Sequence, residues 1–314
     1  MKKNVSLFLT LSAGGMALLT LYRQRRREDQ ARVWSNQVEG QPGTALITGA
    51  SSGIGVVFAR ALARQGFNLI LVARRRERLQ AVADELEAAY PVQAEVLSAD
   101  LTDPIDLERV AARIAEVPDL DLLVNNAGFG TGGYFAEIDL QPELQMIRLH
   151  IIASMRLIRA ALPGMIQRGR GGIINVSSVA GLIPLQGNAT YGASKSYLNF
   201  FTHSLNMELT GTGVRVEALC PGFTVSEFHD VNGVDRSAIP SFLWSRAEDV
   251  VAEALKGLRE GREIVVPGRI YSLLAYAVRF LPVGSLAQIV QNFRMKKMGR
   301  AAATQPGRRS PHQA

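Results

Sequence analysis

The stretch that decides the fold is Thr48-Gly49-Ala50-Ser51-Ser52-Gly53-Ile54-Gly55, in which three glycines are spaced G-x-x-x-G-x-G. It follows an apolar run directly and opens a segment with helical periodicity. Glycines at such a turn let the backbone approach a pyrophosphate, and the first amides of the next helix can bind its oxygens. A glycine-rich turn can also serve local chain geometry alone, but its place between strand and helix favours dinucleotide binding. The predicted cofactor contacts here are Thr48, Gly49, Ser51, Ser52, Gly53, Ile54 and Gly55.

Seven short apolar runs alternate with helical patterns between about residues 43 and 267. The predicted strands are Thr44 to Thr48, Phe67 to Ala73, Val92 to Ala99, Leu120 to Asn125, Gly172 to Val176, Val214 to Cys220 and Glu263 to Val266. Parallel neighbours need crossover connections, so this order predicts an α/β fold. We expect a single domain over residues 37–268, with a doubly wound, Rossmann-type, seven-stranded parallel sheet. Ligands of such folds bind beyond the carboxyl ends of the strands.

Composition excludes several classes of protein. The chain has 314 residues, of which 47% are hydrophobic and 20% charged, values typical of a globular protein rather than a disordered or disulfide-rich one. The single Cys220 cannot form an intrachain disulfide, which fits a reducing compartment. His203 and His229 are not spaced with acids or cysteines as metal ligands are, so no metal site is expected.

The net charge of +7 is concentrated at the two ends of the chain. Residues 1–34 hold seven Lys/Arg and two acids, and residues 291–314 hold six Lys/Arg and no acid. The remainder has 22 basic and 26 acidic residues, a net charge of −4, which gives no support to a nucleic-acid partner. Basic ends beside apolar segments favour a membrane surface.

The N-terminal residues 1–36 combine an apolar segment with a basic linker. Val5 to Tyr22 has 18 residues without a charge and would be ~27 Å long as a helix, barely enough to cross a bilayer. The arginines that follow resemble a stop-transfer flank, so we expect a membrane anchor with the catalytic domain facing the cytoplasm. A cleaved signal peptide and a buried or in-plane helix are the alternatives.

Residues 269–300 are expected to form a C-terminal amphipathic segment. Arg279 and Pro282 interrupt Ile270 to Phe293, which argues against a spanning helix. The segment is expected to lie on a lipid surface or cover a substrate pocket, and packing on the core or on another subunit is the alternative. Residues 301–314 are expected to be a disordered tail.

The end of the second predicted strand favours NADP over NAD. An acid there would bind the ribose 2′-hydroxyl of NAD, but the chain reads Arg74-Arg75-Arg76, whose guanidinium groups can bind a 2′-phosphate. Arg74 is the first candidate and Arg75 the second; a solvated helix start is the alternative. Further cofactor contacts are expected after the third and fourth strands, at Asp100, Leu101, Asn126, Ala127 and Gly128. The asparagines could instead bond turn backbone between strands.

Tyr191 and Lys195 form the candidate catalytic pair. Lysine is rare here, since only Lys195 and Lys256 occur between residues 4 and 295, and a four-residue spacing puts both side chains on one helix face. A nearby ammonium lowers the pKa of a phenol from its ordinary value of about 10. Tyr191 could then exchange a proton with a carbonyl oxygen, and Ser178 could donate a second hydrogen bond to that oxygen.

These motifs together resemble the short-chain dehydrogenase/reductase family over about 225 residues. The matching segments are TGASSGIG, NNAG at 125–128, SSVAG at 177–181, YGASK at 191–195 and Pro221-Gly222, in the order and spacing of the family. The resemblance implies a doubly wound fold and a nicotinamide cofactor. It also implies that Tyr191 is the acid/base, that Lys195 holds the nicotinamide ribose and tunes Tyr191, and that Ser178 orients the substrate.

The chain departs from the family pattern at two positions. His150 stands where many members have an asparagine that connects the lysine to a water relay. Histidine binds water and titrates near neutrality, so it is expected to replace the asparagine, with a helix position lacking a proton role as the alternative. Ser226 stands where a threonine commonly contacts the carboxamide, so the hydroxyl is kept. Pro221, Gly222 and Ser226 complete the expected cofactor contacts.

The resemblance favours an NADPH-dependent reductase of a lipophilic carbonyl compound, of 3-oxoacyl, steroid-like or retinoid-like type. In the family the connection from Phe223 to Ser245 covers the substrate, and this one carries four aromatic residues: Phe223, Phe228, Phe242 and Trp244. Their packing alone is an alternative explanation. A homodimer or homotetramer is expected, because members often pair. The competing hypothesis is a non-catalytic NADP-binding or scaffolding protein.

Overall fold

The computed structural model describes residues 42–226 and 239–278. Seven parallel strands form one sheet in the order β3-β2-β1-β4-β5-β6-β7. The strands are β1 (Thr44–Thr48), β2 (Asn68–Ala73), β3 (Ala94–Ser98), β4 (Leu120–Asn125), β5 (Gly171–Val176), β6 (Val214–Leu219) and β7 (Ile264–Val265). All seven predicted strands are present, with ends that differ by at most two residues. The doubly wound α/β prediction is confirmed.

Helices cover both faces of the sheet. They are α1 (Gly53–Ala63), α2 (Arg76–Ala89), α3 (Pro104–Glu116), α4 (Leu140–Ile147), α5 (Ser154–Arg168), α6 (Ala189–Glu208), α7 (Ala247–Arg259) and α8 (Arg269–Val278). Helices α1, α2 and α7 pack on one face, and α3, α5 and α6 pack on the other. Neighbouring residues of a strand point to opposite faces of the sheet. Ile47 packs in the core layer that contains α1, α2 and α7, and Leu46 packs in the core layer that contains α3, α5 and α6. The central strands are therefore buried on both faces, which is why apolar residues predominate in them without strict alternation.

The strand order reverses between β1 and β4, which are neighbours at the centre of the sheet. In open α/β sheets the crevice beyond the carboxyl ends of the strands at such a reversal is the ligand site. The glycine-rich turn follows β1, and the segment from Asn126 to Gly128 follows β4. The fold therefore brings two of the sequence motifs to one crevice.

A π-helical turn, Arg148–Ala153, joins α4 to α5 and carries His150. In the part of the chain that the structure describes, the continuous stretch Leu140–Arg168 is the one helix with the length and composition to cross a membrane. Its residues Leu157 and Ile158 are buried against the sheet, as expected of a core helix. The apolar segment from Val5 to Tyr22 lies outside the described residues.

Candidate active site

The glycine-rich turn brings β1, the start of α1 and the segment after β4 into close contact. Gly49 and Gly53 have φ angles of 68° and 57°, in the left-handed region that favours glycine. A Cβ on Gly55 would lie 2.3 Å from the Gly49 carbonyl oxygen and 2.7 Å from Asn126 Nδ2. No larger residue fits at Gly55 without moving this turn.

The side chains of Thr48 and Asn126 hydrogen-bond the backbone of the glycine-rich turn and of the segment after β4. Thr48 Oγ1 accepts hydrogen bonds from the N–H groups of Asn126 and Ala127, both at 2.9 Å. Asn126 Nδ2 donates to the carbonyl oxygens of Thr48 (2.9 Å) and Gly49 (3.3 Å). Asn125 Nδ2 donates to Asn175 Oδ1 at 2.9 Å, which links β4 to β5. Both asparagines therefore bond neighbouring strands and turns, as in the structural alternative.

The outer side of the turn fits an anionic group. Ser52, the N-cap residue of α1, makes no side-chain capping hydrogen bond, so the positive end of the helix faces outward without a side-chain oxygen of its own. Arg75 lies over this end, with Nη2 donating to Ser52 Oγ at 2.8 Å and to Ser51 Oγ at 3.1 Å. Glycines, helix amides, hydroxyls and a guanidinium group are the donors that a dinucleotide with an extra phosphate requires.

Three residues were expected at the adenosine end of the cofactor: Arg74, Asp100 and Leu101. Arg74 is 76% exposed and lies 3.8 Å from the carboxylate of Asp100, so Arg75 rather than Arg74 contacts the glycine-rich turn. Asp100 Oδ1 accepts from the N–H and hydroxyl groups of Thr102. The Leu101 side chain is buried in the core layer that contains α3, α5 and α6.

Ser178, Tyr191 and Lys195 converge at the carboxyl ends of the central strands. Ser178 follows β5, and its Oγ caps the short helix after it by accepting the Ala180 N–H at 3.1 Å. The Ser178 side chain also hydrogen-bonds the Tyr191 phenol. Lys195, one turn further along α6, donates from Nζ to the Val176 carbonyl oxygen at 2.8 Å. Its Nζ lies 5.7 Å from the centre of the Tyr191 ring.

The charge states of this trio differ from the sequence expectation. Burial raises the pKa of Tyr191 to about 12, and the hydrogen bond from Ser178 only partly offsets this. Burial also lowers the pKa of Lys195 to about 7. In this structure the pKa of Tyr191 is raised rather than lowered as expected, because desolvation of the phenolate is the largest influence on it.

His150 is enclosed by protein groups on both ring nitrogens. Nδ1 lies 2.9 Å from Ser194 Oγ, and Nε2 accepts the Phe129 N–H at 3.3 Å. Because the Ser194 hydroxyl donates to the Tyr191 carbonyl oxygen at 2.8 Å, Nδ1 must carry the proton and donate to Ser194. Burial and the charge of Lys195 lower the pKa of His150 well below 6.5. The expectation that His150 titrates near neutrality is therefore wrong.

Gly128 gives His150 and Lys195 room to approach each other. A Cβ at Gly128 would lie 2.8 Å from His150 Nε2 and 3.6 Å from Lys195 Nζ. The His150 ring also meets the Tyr191 ring edge-on, with centroids 5.9 Å apart. The segment after β4, the π-helical turn and α6 thus form one packed unit around the catalytic pair.

The segment after β6 reaches back to the glycine-rich turn. Pro221 is buried, and a Cβ on Gly53 would lie 3.2 Å from Ser226 Cβ. A Cβ on Gly222 would lie 2.2 Å from the ring of Tyr271, on α8. Tyr271 was not among the predicted site residues, since it belongs to no motif. Phe228 and His229 lie outside the described residues.

Residues considered for metal binding are occupied otherwise. His203 Nδ1 pairs with Glu263 Oε2 at 2.6 Å, and the Cys220 thiol donates to Asn199 Oδ1 at 3.2 Å. Within residues 42–226 and 239–278, no group of three or more His, Cys, Asp or Glu side chains could hold a metal ion.

The chain is similar to known proteins over most of its length. The sequence model described as short chain dehydrogenase matches residues 43–235. An uncharacterized oxidoreductase of Myxococcus xanthus is 38% identical over 242 residues, which cover 74% of this chain and 92% of that protein. The very-long-chain 3-oxoacyl-CoA reductase of Anas platyrhynchos is 31% identical over 266 residues, 81% of this chain and 83% of that protein.

Similarity extends to solved structures. A short-chain dehydrogenase from Sphingobium yanoikuyae, in complex with NADPH, matches with a TM-score of 0.69 and 33% identity, over 86% of this chain and 100% of that one. The chain therefore belongs to the short-chain dehydrogenase/reductase family, as an oxidoreductase that acts on a CH–OH group and binds NAD(P).

Proposed function

We propose that this protein reduces a lipophilic ketone, of 3-oxoacyl, steroid-like or retinoid-like type, with NADPH as cofactor. The observation that carries the proposal is the hydrogen bond between the Ser178 and Tyr191 hydroxyls, with the Lys195 amine 5.7 Å from the Tyr191 ring. Two hydroxyl donors, beside an amine that is protonated in part at neutral pH, match the needs of a carbonyl oxygen that gains negative charge.

Tyr191 is in the protonated state that donation to a carbonyl oxygen requires. A phenol with a pKa of about 12 keeps its proton at neutral pH and can donate it to the carbonyl oxygen. Ser178 orients that oxygen by a second hydrogen bond. Lys195 places positive charge near the phenolate that remains and holds the nicotinamide ribose. A bound NADPH supplies the hydride.

We assign His150 a positioning role rather than a water relay. Its two ring nitrogens link Phe129, in the segment after β4, to Ser194 and the backbone of Tyr191. These contacts hold the start of α6 at a fixed place relative to the cofactor side.

The preference for NADPH rests on the arginines after β2. No acid stands at the end of this strand, and the Arg75 guanidinium lies at the start of α1 with Arg74 nearby in sequence. The solved short-chain dehydrogenase from Sphingobium yanoikuyae is in complex with NADPH, which supports the same choice.

A lipophilic substrate agrees with the exposed apolar side chains in the segments after β4 and after β6. Tyr134 and Phe135 follow β4 and are 56% and 59% exposed, and Phe242 is 69% exposed. The similarity to a very-long-chain 3-oxoacyl-CoA reductase agrees with this substrate class. Family members commonly oligomerise, and we propose a homodimer or homotetramer, to be measured by light scattering.

We further propose that the protein is membrane-associated, with its catalytic domain facing the cytoplasm. Residues 1–36 would form the anchor, and residues 269–300 would lie at the lipid surface. On α8, Ile270, Leu273 and Leu274 share one face and are 43%, 69% and 42% exposed. Full-length protein is expected in the membrane fraction, and a chain starting at Asn36 is expected to bind less. Recovery of both in the soluble fraction would reject the anchor.

The test of activity uses purified full-length protein, NADPH and a panel of acyl thioesters, steroid ketones and retinals. Tyr191→Phe should lower kcat by about 100-fold or more, the range that general acid catalysis contributes, with NADPH binding retained. Tyr197→Phe is the matched control, because that hydroxyl contacts Met155 Sδ on the outside of α6. Tight NADPH binding without any turnover would favour the non-catalytic hypothesis, and equal rates for Tyr191→Phe would refute the mechanism.

A further inference from the structure

Tyr271 joins two stretches of chain that lie on either side of residues 227–238. Its side chain is 8% exposed. The phenol oxygen accepts the Phe223 N–H at 3.2 Å and donates to the Leu243 carbonyl oxygen at 2.7 Å. One hydroxyl on α8 thus satisfies a backbone donor 48 residues away and a backbone acceptor 28 residues away.

The Tyr271 ring also packs against the turn after β6. A Cβ on Gly222 would lie 2.2 Å from ring carbons of Tyr271, so glycine at 222 is required for this contact. The ring and the hydroxyl of Tyr271 therefore fix the position of the segment from Gly222 to Ser226 relative to α8.

The same two stretches pair with each other beside Tyr271. Val225 N–H donates to the Ser245 carbonyl oxygen at 3.0 Å, and Ser245 N–H donates to the Phe223 carbonyl oxygen at 2.8 Å. The Trp244 ring lies 5.5 Å from the Phe223 ring. This pairing is a short parallel bridge between Thr224 and Ser245. Tyr271 hydrogen-bonds both paired stretches, at Phe223 and Leu243.

The segment held by Tyr271 ends at the cofactor turn. Ser226 Cβ lies 3.2 Å from the position of a Cβ on Gly53, at the N-terminus of α1. Movement of the Gly222–Ser226 segment would therefore alter the space between Ser226 and the glycine-rich turn. The contacts of Tyr271 thus link α8 to the place where the pyrophosphate of a dinucleotide is expected.

We propose that Tyr271 is a positioning residue for dinucleotide binding, through which the C-terminal helix α8 sets the distance between the Gly222–Ser226 segment and the glycine-rich turn. It is expected to act on the part common to NADPH and NADH, because the segment that it contacts ends at Ser226, beside the position of a Cβ on Gly53 in the glycine-rich turn. This inference deepens the proposed function and rests on it, because it names a residue that tunes cofactor affinity in the same site.

The test measures cofactor binding without turnover. Tyr271→Phe keeps the ring on Gly222 and removes both hydrogen bonds. Because one neutral hydrogen bond is typically worth a factor of roughly two to ten in an equilibrium constant, we expect the Kd values of NADPH and NADH each to rise by about three- to tenfold. Nicotinamide fluorescence titration of full-length protein gives both values. Tyr197→Phe, which removes a hydroxyl elsewhere on the surface, should leave both Kd values unchanged.

Trp244 gives a second readout that needs no cofactor. In a Trp34→Phe background, acrylamide should quench Trp244 more strongly after Tyr271→Phe, because the bridge beside it loosens. Unchanged Kd values with a lowered Tm would show a merely structural role and overturn the proposal, as would unchanged quenching. A larger Kd for NADPH alone would also overturn it. Absence of ketone reduction by the wild type would refute the proposed function while leaving this binding test intact.

Discussion

Replacing Lys195 by methionine should make the protein more stable and inactive. The amine is buried, and its pKa falls from 10.5 to about 7 in the folded chain. The unfolded chain binds the proton up to its ordinary pKa and the folded chain releases it near pH 7, so the free energy of unfolding of the wild type rises with pH between those values. At pH 7 the buried amine costs the fold about 4 kcal/mol, and at pH 9 about 2 kcal/mol.

Lys195→Met removes this cost and its pH dependence. The variant also loses the 2.8 Å hydrogen bond from Nζ to the Val176 carbonyl oxygen. This loss cancels about 1 to 2 kcal/mol of the gain in the free energy of unfolding. We therefore expect Lys195→Met to unfold with a free energy about 2 to 3 kcal/mol larger than wild type at pH 7, with this gap shrinking by about 2 kcal/mol at pH 9.

Urea unfolding followed by circular dichroism at pH 7 and pH 9 measures this difference, and turnover assays follow the loss of activity. Lys256→Met is the control, because that amine is 58% exposed beside Glu260 and its removal takes no charge out of the protein interior. A Lys195→Met variant that is less stable than wild type at pH 7, or a gap that does not change with pH, would refute the assignment of a buried, partly neutral amine to this position.

Contacts at the cofactor turn and at the start of α3 give three further predictions. Arg75→Ala should raise the Kd of NADPH by about tenfold and leave that of NADH unchanged, with a smaller effect for Arg74→Ala; equal effects on both cofactors in fluorescence titrations would contradict the 2′-phosphate assignment. Gly222→Ala forces a Cβ to 2.2 Å from the Tyr271 ring, so it should weaken NADPH and NADH binding together, and an unaffected Kd for both would argue against the contact. Asp103→Ala removes the side chain that accepts the Ile105 and Asp106 N–H groups at the start of α3; it should lower the free energy of unfolding by about 1 kcal/mol in urea melts, without changing cofactor binding.

The sheet was predictable from the sequence because its strands are buried on both faces. The run Leu120–Asn125 is buried at every position, is apolar at four of its six, and matches the observed strand. The predicted ends of strands were less accurate where apolar residues continue past the last hydrogen bond between neighbouring strands. Val92 packs in the core below Ala94–Ser98 without belonging to the strand, and only Ile264–Val265 pair within the predicted Glu263 to Val266.

Within the candidate site, the spacing of the motifs predicted which residues lie close together. It did not predict their charge states or the directions in which their side chains point. A four-residue interval places Tyr191 and Lys195 on one helix face whatever surrounds them. Their pKa values depend on burial, which a motif does not encode. The preference of Arg75 over Arg74 for the turn depends on the direction in which each side chain leaves the backbone. Tyr271 contacts Phe223 across 48 residues, a separation at which periodicity carries no information.

The π-helical turn Arg148–Ala153 gives the chain between Leu140 and Arg168 one place where its length can change. A π-helical turn holds one residue more than a regular helix holds over the same span, so deletion of a single residue there should return the turn to regular helix without rotating α5. Leu157 and Ile158 would then stay against the sheet, whereas His150 would lose its approach to Gly128. A single deletion within the regular part of α5 would instead rotate the residues after it by about 100° about the helix axis.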